Sequence, residues 1–371
     1  MLLFTPGPTP VPESVRVAMA KPTIHHRTPE FEAIFAKARE GLLKLFNMPE
    51  VVMLASSGTG AMEASVINLC HKKALTINAG KFGERFGKIV QAHNLELVEL
   101  KYDWDTPANI DDILKALKQN PDIDALCIQI SESAGGLRHP VEEIAKEVKK
   151  VNSDIMIIAD GITAVGVEEI DSSNIDALIT GSQKALMLPP ALAMIGLSDS
   201  AVQKTGNGKG YYFNLATEIK KQRENTTAYT APTTLIIGLN AIFEEIEKMG
   251  GFERLYKETK ARAKANQEAL EAIGLKLFPK TPALSMSAIY FERADELRKI
   301  LKTKYDVNIA GGQDHLKGKL FRINQMGLIK PYEASWVVNA VELALADMNI
   351  REYQATASKI FNQIYFKELE R

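Results

Sequence analysis

Lys184 and Asp160 each stand at the end of a short apolar run that is typical of a buried strand. Residues 155–159 precede the aspartate, and residues 177–180 precede the segment Gly-Ser-Gln-Lys-Ala at 181–185. A lysine amine can bond covalently to the aldehyde of pyridoxal phosphate (PLP), and a carboxylate can keep the pyridine nitrogen protonated so that the ring accepts electrons. The pair therefore predicts a PLP site with Lys184 and Asp160 as its catalytic residues.

Three other strand-like runs end in small or hydroxylated residues. Ser-Ser-Gly-Thr-Gly at 56–60 opens a helical segment, where free backbone N–H groups and the helix dipole favour a phosphate. The segment 78–85 sets Phe82 between glycines, where its ring can stack on a planar cofactor, and Ser-Glu-Ser-Ala-Gly-Gly at 131–136 ends the third run. Each segment alone also fits an ordinary turn or a core phenylalanine. All three, however, follow the carboxyl end of a strand, which is where open α/β sheets bind their ligands, and together they favour a binding site.

From residue 51 to about residue 200, strand-like runs alternate with amphipathic helical segments, and these elements would position the residues named above. This alternation predicts an α/β fold with a mainly parallel seven-stranded sheet covered by helices on both faces. The strands are expected near 51–55, 74–78, 95–100, 125–130, 155–159, 177–181 and 192–197. Helices are expected near 29–47, 234–248 and 251–272.

After about residue 255 the pattern changes to a smaller C-terminal α+β unit. Its strands are expected near 286–291 and 319–324, and its helices near 293–303, 331–347 and 353–368. We therefore expect a large PLP-binding domain of residues 16–255. A small domain would combine residues 1–15 with residues 256–371.

Composition argues against several classes of protein. The 371 residues carry a formal net charge of −1 without a block of like charge, so neither nucleic acid nor a membrane surface is expected as a partner. No apolar run approaches the roughly 18–20 residues of a membrane span, and the N-terminus lacks the features of a signal peptide. Cys70 and Cys127 lie in apolar contexts and are expected to be buried, reduced thiols of a cytoplasmic protein. No metal site is expected.

The chain resembles the class V aminotransferases of the alanine–glyoxylate and serine–pyruvate type, which belong to the fold type I PLP enzymes. The resemblance rests on Pro-Gly-Pro at 6–8, Ala-Asp-Gly at 159–161 and Gly-Ser-Gln-Lys-Ala at 181–185, and it extends to about residue 347. It implies that Lys184 holds the cofactor and shuttles a proton, and that Asp160 pairs with the pyridine nitrogen.

The same resemblance implies roles for the residues around this pair. Phe82 takes the stacking position, Ile162 packs on the cofactor ring, and Ser133 lies near the ring hydroxyl. The residues expected to bind the phosphate are Ser57, Gly58, Thr59 and Gln183.

Substrate and subunit contacts also follow from the resemblance. Arg322 resembles the arginine that grips the substrate carboxylate, and Gly7 belongs to the N-terminal segment at the substrate. Thr227 and Thr230 match a segment that reaches into the neighbouring subunit's phosphate site, although some relatives have tyrosine where Thr227 stands. A homodimer with shared active sites is therefore expected.

The implied reaction is a ping-pong transamination between an amino acid and a 2-oxo acid. The expected donors are alanine, serine or aspartate, and the expected acceptors are glyoxylate, pyruvate or 2-oxoglutarate. His26 and Arg27 instead resemble a pair that binds the substrate phosphate in phosphoserine aminotransferases, and His315 matches a further histidine of that family, with Leu316 in place of its usual arginine. His26 and Arg27 equally fit a role in capping the next helix or pairing with Glu30. Phosphoserine transamination with 2-oxoglutarate is therefore the alternative.

The residues also bear on two other kinds of PLP chemistry. A PLP-dependent lyase stays possible, because the Cα bond that breaks is the one perpendicular to the ring, and the sequence does not set that angle. Cysteine desulfurases need a reactive cysteine well after the lysine, and no cysteine follows Cys127.

Overall fold

The structure is a computed structural model that describes residues 1–370. In chain order its strands are β1 (Leu2–Phe4), β2 (Glu50–Leu54), β3 (Lys73–Asn78), β4 (Glu96–Lys101), β5 (Ile123–Gln129), β6 (Ser131–Glu132), β7 (Leu137–Arg138), β8 (Met156–Asp160), β9 (Ala177–Gly181), β10 (Ala193–Leu197), β11 (Lys276–Leu277), β12 (Met286–Tyr290), β13 (Val307–Gly311) and β14 (Leu320–Asn324). The α-helices are α1 (Glu13–Met19), α2 (Pro29–Phe46), α3 (Gly58–Leu69), α4 (Lys81–Ala92), α5 (Ile110–Gln119), α6 (Val141–Val151), α7 (Asp199–Lys204), α8 (Leu215–Arg223), α9 (Thr233–Lys248), α10 (Gly251–Ala272), α11 (Ala294–Lys304), α12 (Pro331–Asp347) and α13 (Thr356–Glu370).

Seven strands form the larger sheet in the order β2-β10-β9-β8-β5-β3-β4. Only β10 runs antiparallel to its neighbours, so the sheet is mainly parallel. These are the seven strands expected from the sequence, and the predicted fold class is confirmed. Because the other six strands share one direction, their carboxyl ends meet at one edge, where the predicted site residues follow them.

The smaller sheet has five strands in the order β1-β13-β14-β12-β11. The sequence prediction found β12 and β14 but missed β1, β11 and β13. Strands β1 and β11 have only three and two residues, and β1 pairs with β13 in parallel across almost the whole chain, from Leu2 opposite Val307 to Phe4 opposite Ile309. Local periodicity carries no information about such a distant partner.

Each sheet has its own hydrophobic core. Val15 and Leu255 are buried in a core of the larger sheet, whereas Phe4 and Ala261 are buried in that of the smaller sheet. Helix α10 thus contributes buried residues to both cores. The boundary between the two domains near residue 255 stays a proposal. Helix α13 buries Phe361 and Tyr365 in the smaller core.

Two further features bear on the sequence expectations. Cys70 and Cys127 are buried free thiols. No helix within residues 1–370 is both long and apolar enough to cross a membrane.

Candidate active site

A cleft at the carboxyl edge of the larger sheet collects the predicted cofactor residues. It contains every one of them except Thr227 and Thr230. The residues that line the cleft are Ser57, Gly58, Thr59, Phe82, Arg85, Ser131, Ser133, Asp160, Ile162, Thr163, Gln183 and Lys184.

The loop between β9 and β10 presents Lys184. Ser182 closes this loop, because its hydroxyl donates to the Pro189 carbonyl at 2.6 Å and accepts the Leu192 N–H at 3.2 Å. The N-terminal segment then runs over the lysine, where the Thr9 hydroxyl donates to the Lys184 carbonyl at 2.7 Å. The turn that carries the lysine is therefore fixed from both sides.

Two residues of the N-terminal segment contact the lysine side chain itself. The Lys184 amine donates to the carbonyl of Pro6. A Cβ on Gly7 would lie 2.6 Å from Lys184 Cδ, and the residue has φ +97°, a conformation that favours glycine. The structure thus brings Gly7 to the cleft, against Lys184.

The pKa of the Lys184 amine is lowered towards neutrality. Burial, together with the positive charges of Arg322 and Arg85, lowers its pKa to about 8, and the negative charge of Asp160 opposes this shift. A lysine with a lowered pKa is a better nucleophile and proton carrier at neutral pH.

This pKa predicts how fast the cofactor-free protein captures PLP. The neutral fraction of an amine with a pKa of about 8 rises roughly fivefold from pH 7 to pH 8 and changes little above pH 9. We expect the capture rate, followed by stopped-flow absorbance, to level off in the same way. The reference amine is Nα-acetyl-lysine, whose rate should keep rising to pH 10. A protein rate that also keeps rising would contradict the lowered pKa.

Asp160 is the last residue of β8 and is 4% exposed. Its Oδ1 accepts the Ile162 N–H at 2.9 Å. Burial raises the pKa of Asp160 to about 6, although the Ile162 N–H, Arg85 and Lys184 each lower it. The group is therefore a carboxylate at neutral pH, as a partner of a protonated pyridine nitrogen must be.

The start of α3 offers unused donors to a phosphate. Ser57 occupies the N-cap position, yet its side chain makes no capping hydrogen bond. Gln183 lines the same cleft, and its amide NH2 group can donate to a phosphate. Free N–H groups at a helix start, together with these side chains, suit a phosphate.

Gly58 and Ile162 show how closely the cofactor residues pack. A Cβ on Gly58 would lie 2.4 Å from Ile162 Cδ1, so glycine is needed for Ile162 to reach the cleft. These groups together fit PLP: the Lys184 amine, the Asp160 carboxylate, the apolar side chains of Phe82 and Ile162, and the free donors at the start of α3. The described residues hold no group of His, Cys, Asp and Glu side chains that could bind a metal ion.

Arg85 is a cleft residue that the sequence interpretation did not assign. Its guanidinium lies 4.7 Å from the centroid of the Phe82 ring and donates to the Thr59 hydroxyl at 2.8 Å. It follows Phe82 by three residues on α4, a spacing that puts both side chains on one helix face. That spacing is the signal that could have identified it.

Arg322 approaches the cleft from the smaller sheet and is 7% exposed. It donates to the Ser133 carbonyl at 2.6 Å and to the Gly311 carbonyl at 2.7 Å and 3.1 Å. Arg322 is not among the residues that line the cleft, but these bonds hold its guanidinium against Ser133, which is. Two of its five N–H donors stay available for a carboxylate.

Five predicted residues are not brought to the cleft by this chain alone. Thr227 and Thr230 line a separate pocket against Met53 and Leu54 of the edge strand β2. His315 packs its ring against Trp104, with centroids 4.6 Å apart. His26 and Arg27 also lie outside the residues that line the cleft. The roles inferred for all five stay predictions.

The surroundings of His26 and Arg27 bear on whether this pair caps helix α2 or pairs with Glu30. Helix α2 is capped by Thr28, whose hydroxyl accepts the Phe31 N–H at 3.4 Å. Arg27 forms no ion pair in residues 1–370, and Glu30 is exposed. Thr28 is therefore the residue that caps α2, no ion pair joins Arg27 to Glu30 within residues 1–370, and the role of His26 and Arg27 stays a prediction.

The fold and the arrangement of the cleft define the class of protein. The crystal structure of an aspartate aminotransferase of subgroup IV from Thermus thermophilus superposes with a TM-score of 0.87 at 31% identity, covering 94% of this chain and 99% of that chain. The structure is thus that of a fold type I aminotransferase. The Aminotransferase class-V family model matches residues 1–330, and the chain belongs to that family.

Relatives known by sequence agree with this assignment. An uncharacterized aminotransferase of Helicobacter pylori is 53% identical, over 99% of this chain and 100% of its own length. The L-aspartate–glyoxylate aminotransferase of Paracoccus denitrificans is 30% identical, over 94% of this chain and 92% of its own length. The resemblance inferred from the motifs is confirmed.

Proposed function

We propose that this protein is a PLP-dependent transaminase that moves the amino group of a small amino acid to a 2-oxo acid. The donors are alanine, serine or aspartate, and the acceptors are glyoxylate, pyruvate or 2-oxoglutarate. The observation that carries this proposal is the meeting of Lys184, Asp160 and the start of α3 in one cleft. When bound, PLP supplies an electron sink for the electron pair at the substrate Cα.

The chain's own residues would then do the following. Asp160 holds a proton on the pyridine nitrogen, and Lys184 moves a proton at the substrate Cα. Phe82 and Ile162 hold the ring. The phosphate is bound by Ser57, Gly58, Thr59 and Gln183, and Ser133 bonds near the ring hydroxyl.

Arg322 would bind the carboxylate that every donor and acceptor shares. A bidentate guanidinium–carboxylate pair fixes the orientation of the acid, and a partly dry site strengthens it. The names of two relatives, an aspartate aminotransferase and an aspartate–glyoxylate aminotransferase, support a small donor. We also propose a homodimer in which Thr227 and Thr230 reach the partner's phosphate site, which light scattering would test.

A substrate panel tests the proposed reaction. The purified protein is loaded with PLP and mixed with alanine, serine, aspartate or phosphoserine, each with glyoxylate, pyruvate or 2-oxoglutarate. We expect the visible band of the bound cofactor to disappear with a small donor and to return with an acceptor. A protein that stays colourless with PLP would overturn the proposal. Product release over many turnovers without a 2-oxo acid would indicate a lyase, because a ping-pong transaminase without an acceptor releases only one equivalent of product.

Phosphoserine transamination stays the alternative, because the exposed guanidinium of Arg27 forms no ion pair within residues 1–370 and is free to meet an anion. The pKa of His26 is lowered by partial burial and by the nearby charges of Arg27 and His25, so at neutral pH its imidazole would act as a hydrogen-bonding group and not as a second charge. If phosphoserine with 2-oxoglutarate far outruns the other pairs, a phosphate-binding role for Arg27 follows. Arg27→Ala should then lower phosphoserine turnover by roughly tenfold or more, the value of one charge-assisted hydrogen bond. Alanine turnover, which needs no second anion site, is the internal control.

A further inference from the structure

Glu132 is a buried acid beside the cleft that has no role in the proposal above. It has no exposed surface. Its Oε2 accepts the N–H of Phe82 at 3.0 Å and of Gly83 at 2.9 Å, and its Oε1 accepts the N–H of Ala134 at 3.0 Å. One carboxyl group thus joins the segment that carries Phe82 to the segment that carries Ser133.

The position of the Phe82 backbone depends on this acid. Its N–H is held by Glu132, and its carbonyl accepts from the Gln129 side chain at 3.0 Å. A Cβ on Gly80 would lie 2.4 Å from Glu132 Cδ, so the turn that precedes Phe82 packs directly on the carboxyl group. The backbone that carries the Phe82 ring is therefore fixed beside the cleft.

Glu132 also acts on the substrate side of the cleft. It directly precedes Ser133, whose carbonyl accepts from Arg322 Nη1 at 2.6 Å. Burial lowers the pKa of Arg322 to about 10, and the negative charge of Glu132 opposes that effect. Burial raises the pKa of Glu132 itself to about 7, while the three N–H groups lower it.

We propose that Glu132 is a positioning residue that holds Phe82 on the cofactor ring and Arg322 in line with the substrate carboxylate. This inference rests on the proposed function. A carboxylate is needed because three N–H donors converge on it, and a glutamine would turn an NH2 group towards at least one of them. The unsatisfied donor left behind disfavours the native turn.

Glu342 provides a matched control far from the cleft. It also has no exposed surface, and its carboxylate accepts the N–H of Ala357 at 2.8 Å and of Gln354 at 3.3 Å. It pairs with Arg351 at 3.1 Å and holds the chain that leads into α13. Glu342→Gln therefore damages a similar bonding arrangement without touching the cleft.

The experiment compares Glu132→Gln and Glu342→Gln with the wild type. The measurements are urea unfolding of the cofactor-free proteins, PLP affinity by absorbance titration, the induced circular dichroism of bound PLP and KM for the amino donor. We expect both variants to unfold more easily. Only Glu132→Gln should bind PLP roughly tenfold more weakly, alter the induced signal and raise KM.

The outcomes separate this inference from the proposed function. A wild type without a cofactor band overturns both. A normal wild type whose affinity and induced signal are unchanged in Glu132→Gln overturns the role of Glu132 alone, as does an equal loss in Glu342→Gln. If Glu132→Gln does not fold, Gly80→Ala replaces it, because that variant keeps the carboxylate but displaces it. An unchanged induced signal in a folded Gly80→Ala then counts against the proposal.

Discussion

Replacing Lys184 by alanine is expected to reduce turnover by roughly 10³-fold or more. In the proposed function, the substitution removes both the amine that holds the cofactor and the base that moves the proton, and a positioned base alone contributes about 10²–10⁴-fold. The visible band of the bound cofactor should disappear or shift. Steady-state transamination and an absorbance spectrum of the PLP-loaded variant measure the two effects.

The structure suggests why this variant should still fold. Within residues 1–370 the Lys184 side chain donates only to the Pro6 carbonyl, whereas Thr9 holds the turn through the Lys184 backbone, which alanine keeps. Added methylamine should restore part of the activity by supplying the missing base. Lys101→Ala, at a side chain that is 75% exposed, is the control and should behave as wild type. Full activity in Lys184→Ala would refute the assignment of the lysine.

Replacing Asp160 by asparagine is expected to separate activity from stability. Asparagine can still accept the Ile162 N–H, but it cannot hold a proton on the pyridine nitrogen as a carboxylate does. Turnover should therefore fall, by about 10²–10⁴-fold if the carboxylate acts as a positioned proton partner. PLP should still bind, because Lys184 and the phosphate residues are unchanged.

The same variant should make the cofactor-free protein more stable at pH 8. The folded pKa of Asp160 is about 6, above its ordinary value of 3.8, so the folded state holds this proton more tightly than the unfolded state. The free energy of unfolding consequently falls as pH rises from about 4 to about 6. The full penalty, about 3 kcal/mol, persists above that range.

Urea unfolding of the cofactor-free wild type and Asp160→Asn between pH 4 and pH 8 measures this effect. The two curves should meet near pH 4 and diverge as pH rises, with the variant more stable by up to about 3 kcal/mol. Asp154→Asn, at an exposed position, should show no such divergence. Equal stability of Asp160→Asn and wild type at pH 8 would mean that the buried charge carries no penalty.

Much of the fold and of the candidate cofactor site was predictable, because short local patterns in the sequence indicate both. Most strands of the larger sheet are apolar runs, and each predicted cofactor segment follows such a run. Parallel strands bring their carboxyl ends together, so Ser57, Phe82, Ser133, Asp160 and Lys184 meet in one cleft without any knowledge of side-chain packing. Arg85 could have been predicted as well, from its spacing of three residues after Phe82 on α4.

The contacts that hold these residues in place were not predictable from local patterns. The Thr9–Lys184 bond joins residues 175 positions apart, and the Arg322–Ser133 bond joins residues 189 positions apart. Likewise, β1 could not be recognised, because its three residues become a strand only by pairing with β13. A hydrogen bond between distant segments depends on how complete elements pack, and no local period records it.

The sequence by itself determined the class of chemistry, because the types of Lys184 and Asp160 and their places after two buried strands suffice for it. Only the tertiary structure decided how that chemistry is tuned. Burial brings the pKa values of Lys184 and Asp160 towards neutrality, and burial is a property of the packed molecule. It also revealed Glu132, whose three N–H donors come from two segments that are far apart in the chain.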